Sequence, residues 1–185
     1  MSLAENMTQR RLPLSSRRAW LAAAGALPMA AVLSGCGFTL RKAPKFAFER
    51  IRFDGNWGAP VSRELQNALR SAGLSVIGAN APAEQQRQAQ VVLNVLTDQR
   101  ERAVVGQTAT GQVRELQLRT RFRFGLKALN GRVLLDDAEI VLERDISFSE
   151  TAALAKAAEE ESMFEDMQGD IVQQVMRRLA AVKSI

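Results

Sequence analysis

The sequence LQLRTRFRFGLK, residues 116–127, alternates apolar and polar side chains over its whole length. Successive residues of a strand point to opposite sides of a sheet, so this alternation predicts a β-strand with one face in the core and one polar face. The polar face carries a row of cations, formed by Arg119, Arg121, Arg123 and Lys127. We expect this strand to determine the fold, because it fixes which side of the sheet is covered.

A hairpin is predicted directly after this strand, where Asn130-Gly131 favours a tight turn. The return strand carries its apolar side chains on one face, at Ala138, Ile140, Leu142, Ile146 and Phe148. The apolar faces of the two strands coincide only if Phe124 pairs with Ala138 and Phe122 with Ile140, because a shift by one residue turns one strand over. The sequence therefore predicts this register, with a three-residue loop or a bulge near the turn.

The same register decides which cations of the polar face are paired. Two pairs of opposite charge face each other, Arg123 with Glu139 and Arg119 with Glu143, and such pairs stabilise a sheet. Arg121 faces Val141 and Lys127 faces Leu135, so these two cations are expected to be free to contact an anion. An alternative interpretation is that the whole mixed-charge face packs inside a polar enclosure, such as the lumen of a barrel.

The rest of the sheet is predicted from shorter patterns. Residues 46–53 and 90–100 predict two more strands, and residues 74–77 are a candidate for a short additional one. Residues 78–88 are polar and predict a loop. Residues 101–112 contain two glycines and predict a mobile hairpin tip.

Two helices accompany these strands. Pro60 opens the first helix, which ends near Gly73. Residues 155–182 predict a long amphipathic helix whose apolar stripe contains Phe164, Met167, Ile171, Val175, Leu179 and Val182. The predicted fold class is therefore α+β, a two-layer sandwich with two helices packed on one face of a mixed, mainly antiparallel four-stranded sheet.

The amino terminus has the form of a bacterial lipoprotein signal. Four arginines precede an apolar run of 15 residues, 19–33, which ends in Leu33-Ser34-Gly35-Cys36. This run is too short for a spanning helix, which needs about 20 apolar residues. Cys36 is the single cysteine, so we expect it to carry acyl chains as the first residue of the mature protein.

The expected domain division is a signal peptide over residues 1–35, an acylated tether over 36–45 and a single α+β domain over 46–185. Residues 16–21, SRRAWL, resemble a twin-arginine export signal, but we favour the general secretory route because nothing suggests a cofactor that needs folding before export. Gly37 stands where aspartate often directs retention in the inner membrane. We therefore expect a lipid anchor in the outer membrane, at its periplasmic face.

Composition excludes several classes of function. The chain has 25 Lys and Arg against 20 Asp and Glu, and four of the basic and one of the acidic residues precede Cys36, so the mature net charge is only +2. Bulk charge thus does not favour nucleic-acid binding. The absence of histidine removes the commonest metal ligand and general base. We expect no enzyme, no catalytic residue, no metal and no cofactor; a carboxylate-dependent hydrolase would require two acidic side chains converging in a cleft.

Several segments give this chain a family resemblance. They are GCGFTLR at 35–41, GQTA at 106–109, ALAK at 153–156, Asp166-Met167 and VQQVMRRL at 172–179. On these segments the chain resembles the lipopolysaccharide-assembly lipoprotein LptE family, also called RlpB. The lipoprotein signal and the carboxyl-terminal segment are its most distinctive parts.

The resemblance implies a subunit of the lipopolysaccharide translocon, with two helices on one mixed sheet. Such a protein plugs the LptD barrel, helps to assemble it and helps to deliver lipopolysaccharide to the cell surface, so LptD and lipopolysaccharide are the expected partners. Lys156 lies in the matching ALAK segment, and we expect it, with Arg102, Arg121 and Lys127, to contact lipopolysaccharide or the barrel. Alternatively, Lys156 is a solvated cation beside three glutamates. The alternative function is a free periplasmic lipid- or peptide-binding lipoprotein, which would need an apolar cavity between helices and sheet.

Overall fold

The structure is one mixed sheet with helices packed against it. This computed structural model describes residues 44–185, so the leader, Cys36 and most of the expected tether lie outside the described residues. In chain order the elements are β1 (Arg50–Asp54), α1 (Pro60–Ser71), β2 (Ser75–Gly78), α2 (Ala83–Arg87), β3 (Val91–Gln107), β4 (Val113–Ala128), β5 (Val133–Ser147), a 3-10 turn (Glu150–Ala152) and α3 (Ala153–Ala180). The sheet order is β2-β1-β3-β4-β5, with β1 parallel to both neighbours and the other pairs antiparallel.

The sheet therefore has five strands, and the expectation of four was wrong. The additional strand is β2, which pairs in parallel with β1 and begins with a 2.8 Å hydrogen bond from Ser75 N to Glu49 O. It has only four residues and none is fully buried, so its sequence lacks a clear alternation. A third helix, α2, occupies part of the predicted loop and buries no side chain.

The long hairpin of β3 and β4 also extends further than its sequence suggests. Residues 101–107, predicted as part of a mobile tip, continue β3 and pair with residues 113–119 of β4. Polar and exposed side chains hide this segment from a pattern search, because neither face of the strand is covered strongly enough to require apolar residues. The turn itself is confined to residues 108–112, where Gly111 adopts a φ of +83°.

The predicted register of β4 and β5 is confirmed. Phe124 pairs with Ala138, and the pairings of Phe122, Arg123 and Arg119 also follow the prediction. Nearer the turn the register shifts twice, so Lys127 pairs with Val133 and not with Leu135. The three-residue loop, closed by a 2.8 Å bond from Ala128 N to Arg132 O, leaves the two strands offset by two residues from the pairing of Phe124 with Ala138, and the two shifts absorb this offset.

The core lies between one face of the sheet and the helices α1 and α3. The alternating apolar residues of β4 are fully buried, as the sequence predicts, and they meet the buried stripe of α3. The main apolar cluster contains Phe53, Leu65, Leu93, Phe122, Phe124, Ile171, Val175 and Leu179, among others. A smaller cluster, at the far end of the hairpin, contains Leu116, Leu118, Ile146, Phe164 and Met167.

Helix α1 is capped by a side chain from the sheet. Ala59 occupies its N-cap position and has no side chain that can accept a hydrogen bond. Asp98 of β3 takes that role, accepting bonds from Ser62 N and Ser62 Oγ, each at 2.7 Å. The carboxylate thereby fixes the start of α1 against β3. Within residues 44–185, no helix has the length and apolar character that crossing a bilayer requires.

Candidate functional site

The four cations predicted as contact residues do not form one site. Arg102 and Lys156 lie at the tip, which we define as residues 100–118 with the facing residues 146–161. Arg121 lies midway along β4, on the side of the sheet away from α1 and α3. Lys127 is six residues further along the strand, about 20 Å away, beside the β4–β5 turn.

Three consecutive glutamates of α3 organise the tip, because each one holds a different cation. The pairs are Lys156 Nζ with Glu159 Oε2 at 2.7 Å, Arg102 Nη1 with Glu160 Oε2 at 3.2 Å, and Arg100 Nη1 with Glu161 Oε1 at 2.9 Å. Lys156 also donates to Ser147 Oγ at 3.0 Å, and its side chain is only 21% exposed. Lys156 is therefore held between β5 and α3, so an anionic ligand at this point must compete with Glu159.

Arg100 joins the sheet to α3. Its guanidinium lies 5.0 Å from the ring centroid of Phe164 and donates from Nη2 to Gln168 Oε1 at 2.8 Å. Gln168 in turn donates from Nε2 to Glu64 of α1. This chain of contacts fixes α3 relative to both the sheet and α1, and it places the glutamates of the tip.

An open apolar cleft lies beside these charged pairs. It has a volume of about 340 Å³ and is lined by Arg102, Val104, Val113, Leu116 and Phe148. Val104 is 47% exposed, so the cleft opens to solvent. An apolar wall with a guanidinium at its rim suits a ligand that has an alkyl chain next to an anionic group.

A second set of charges covers the outer side of the sheet, which we call the open face and define by Glu101, Arg119, Arg121, Glu139 and Glu143. Among the described residues, α1 and α3 both lie on the other side. Arg119 contacts Glu143 at 2.6 Å and Glu101 at 3.5 Å. Arg121 lies 3.8 Å from Glu101 and 3.7 Å from Glu139. The open face is thus a partly exposed network in which the charges largely balance.

This network corrects the expectation that Arg121 is free. The prediction failed because it ended β3 at residue 100, whereas the strand continues and brings Glu101 beside Arg121. Arg123 is paired as well, but with Asp137 at 3.2 Å and not with Glu139. Lys127 fits the expectation, because it is exposed and makes no ion pair with any residue in 44–185. Within the same residues, no acidic side chains cluster in a way that would hold a metal ion.

Comparison with known proteins gives one family. The family model described as "LptE: Lipopolysaccharide-assembly" matches residues 45–179. No curated protein sequence matches the chain significantly.

Among solved structures, an uncharacterized lipoprotein B from Nitrosomonas europaea is 29% identical, with a TM-score of 0.62 over 78% of this chain and 91% of that one. The rare lipoprotein B from Shewanella oneidensis is 21% identical, with a TM-score of 0.56 over 71% and 94%. A minor lipoprotein from Acinetobacter baumannii is 17% identical, with a TM-score of 0.55 over 74% and 94%. The last two support the fold alone.

Proposed function

Because the chain belongs to the LptE family of lipopolysaccharide-assembly proteins, we propose that it is an outer-membrane lipoprotein subunit of the lipopolysaccharide translocon. In this role it plugs the LptD barrel, assists the assembly of that barrel and helps to deliver lipopolysaccharide to the cell surface. The family match is the observation that carries the proposal, since residues 45–179 include all five strands and almost all of α3. The role is one of binding and assembly and uses no catalytic residue or cofactor.

The proposed lipid anchor is the acylated Cys36. Residues 1–35 are removed as a signal peptide, residues 36–45 form the tether, and residues 46–185 form the folded domain. The Nitrosomonas europaea protein, which is 29% identical to this chain, is described as a lipoprotein, and this description supports a lipid anchor. Several acyl chains hold a protein stably at a bilayer, whereas one chain binds reversibly. We place the anchor at the periplasmic face of the outer membrane.

The open face is the surface that we assign to the LptD lumen. Its charges are paired within the sheet, so it stays hydrated without attracting a ligand of one sign. The interior of a large outer-membrane barrel is polar, and a charge-balanced polar surface can pack there without burying an unpaired ion. Glu101 is central because it contacts both Arg119 and Arg121.

The tip is the region that we assign to lipopolysaccharide. Arg102 has an exposed side chain at the rim of the apolar cleft, and Lys156 lies at the same end of the sheet, beside β5. A glycolipid phosphate would replace Glu160 or Glu159 as the partner of these cations, while an acyl chain would lie against Val104 and Phe148. Charge-assisted contacts and a short apolar wall together match an amphipathic anion.

A tagged chain extracted from membranes in mild detergent tests the partnership. We expect a large outer-membrane barrel to co-purify, and we expect Glu101→Lys to reduce its recovery because the substitution places a third cation beside Arg119 and Arg121. Glu165→Lys is the matched control, since Glu165 is exposed on α3 and lies away from the open face. Recovery of the processed chain without any barrel, but with a bound lipid or peptide, would refute the proposal and favour a free periplasmic binding lipoprotein.

A further inference from the structure

The end of the sheet opposite the tip brings together segments that are distant in sequence. Gln90 connects them: its Oε1 accepts bonds from Glu49 N at 2.7 Å and Arg50 N at 3.1 Å, and its carbonyl accepts Leu129 N at 3.2 Å. The start of β1 therefore lies beside the β4–β5 turn. We call this region the hairpin end and define it by residues 44–50, 87–90 and 127–133.

The hairpin end exposes apolar side chains that are not part of the apolar core. Leu129 is 45% exposed at the first position of the turn, and Val133 is 50% exposed at the start of β5. Leu129 separates two surface clefts, of about 290 Å³ and 310 Å³, and lines both of them. Single exposed apolar residues are common on proteins, so their meaning depends on what surrounds them.

Basic side chains surround these apolar residues. They are Lys45, Arg50, Arg87, Lys127 and Arg132, with Arg52 adjoining, against the acidic Glu49, Glu84 and Asp136. Arg87 pairs with Glu84 at 3.1 Å. Lys45, Lys127 and Arg132 are exposed and form no ion pair with any described residue. Exposed apolar side chains that are surrounded by unpaired cations are typical of surfaces that lie at a bilayer of anionic lipids.

The described chain also begins at this end. Pro44, Lys45 and Phe46 line a cleft with Gly73 and Leu74, next to the start of β1. Seven residues lie between Cys36 and Pro44, and the eight steps from one to the other can span at most about 29 Å. An acylated Cys36 would therefore hold the hairpin end close to the bilayer. A short tether raises the effective concentration of the hairpin end at the lipid surface, so even weak contacts with the lipids can form.

We infer that the lipoprotein, before it meets a protein partner, rests on an anionic phospholipid surface through its hairpin end. Leu129 inserts at the level of the headgroups, while Lys127 and Arg132 contact lipid phosphates. The inference rests on the acylation of Cys36 in the proposed function, but not on the barrel. In this state the tip points away from the lipid and is free to meet a partner.

A fluorescent label tests this orientation on the processed, acylated chain in vesicles of phosphatidylcholine and phosphatidylglycerol. Cys36 is the sole cysteine, so Leu129→Cys adds a single free thiol for an environment-sensitive dye. We expect its emission to rise on the vesicles and to be quenched by lipids with brominated acyl chains. Leu154→Cys is the matched control, because Leu154 is 91% exposed at the other end, and its label should stay in water.

The cations are tested in the same assay. Lys127→Gln with Arg132→Gln should lower the quenching of the label at position 129, and added salt should do the same. Arg114→Gln, an exposed cation at the tip, should change nothing. Equal quenching at positions 129 and 154, or a label at 129 that stays in water on vesicle-bound protein, would overturn the inference.

The experiment distinguishes a protein that lacks the acyl anchor from an acylated protein that does not rest on the lipid through its hairpin end. Dye reacting with the unsubstituted processed chain would show that Cys36 is not acylated, which refutes the anchor in the proposed function. Normal co-purification of a barrel together with an unquenched label at position 129 would leave the proposed function standing and remove only the resting orientation.

Discussion

Asp98 of β3 accepts two hydrogen bonds from Ser62, 36 residues earlier in the chain, and both donors lie 2.7 Å from the same carboxylate oxygen. Because Ala59 provides no cap, Asp98 alone satisfies the first turn of α1 among the described residues. We predict that Asp98→Ala lowers the free energy of unfolding by about 1–2 kcal/mol. Urea denaturation followed by circular dichroism measures the change. Asp166→Ala, on the exposed side of α3, is the control and should cost less than about 0.5 kcal/mol.

Gly78 is required by the packing of Trp57. A Cβ at position 78 would lie 2.8 Å from the indole ring. The ring makes an edge-to-face contact with Phe53 and lies under the guanidinium of Arg70, each at 5.7 Å. We predict that Gly78→Ala destabilises the protein by about 1–3 kcal/mol, because the ring must move out of contact with the core. Thermal unfolding, followed by Trp57 fluorescence, measures it. Gly58→Ala is the control, since a Cβ there meets no atom closer than 3.6 Å, and an equal loss in both variants would contradict the explanation.

The polar contacts between β3 and α3 should differ in strength according to their burial. Arg100 is 21% exposed and donates to the buried Gln168, whereas Arg102 is 60% exposed and pairs with Glu160. Double-mutant cycles should give a coupling of about 1.5–3 kcal/mol for Arg100 with Gln168. The coupling of Arg102 with Glu160 should stay below about 1 kcal/mol, because solvent screens an exposed pair. A larger coupling for the exposed pair would show that the contact of Arg102 with Glu160, and not that of Arg100 with Gln168, holds α3 against β3.

The parts of the fold that the sequence predicts are those in which one face is buried. The alternation in β4 places Phe122 and Phe124 in the core and, through the register, determines the pairing with β5. The spacing in α3 identifies the stripe that packs on them. These patterns are reliable because burial acts on every second or every third to fourth residue and leaves little freedom.

The sequence does not predict the parts of the fold in which polar side chains, and not apolar ones, connect the sheet to the helices. Asp98, Arg100 and Arg102 occupy the inward-facing side of β3, where they bond to α1 and α3. Because these positions are not apolar, the alternation fades and the sequence does not predict that β3 continues beyond residue 100. This error hides Glu101 and with it the network around Arg121. The short β2 is only a candidate strand in the sequence, at residues 74–77, and is not counted in the predicted sheet, since it is an edge strand with no fully buried residue. A candidate site made of cations is therefore hard to identify without knowing where each carboxylate lies.

The role of the tip is tested by binding of lipopolysaccharide to the purified chain. Lys156→Ala removes a cation that an anionic ligand can use, and we predict a loss of about 1–2 kcal/mol in binding, a factor of about 5–30. Glu159→Gln should act in the opposite direction, because Glu159 competes with the ligand for Lys156 at 2.7 Å. Lys183→Ala removes an exposed cation just beyond the carboxyl end of α3, which has no assigned contact, and is the matched control. Fluorescence titration at low and high salt measures all three.

Opposite signs for Lys156→Ala and Glu159→Gln would distinguish ligand binding from a structural role of this ion pair. If the pair only stabilised the start of α3, both variants would weaken the fold by a similar amount, and neither would change the affinity of the folded protein. Equal losses of affinity for Lys156→Ala and Lys183→Ala would show instead that the lipopolysaccharide affinity depends on the net charge of the whole chain and not on a site at the tip. In that case, the 340 Å³ cleft beside Arg102 would have no part in recognition, and Val104→Asp at its wall would leave the affinity unchanged.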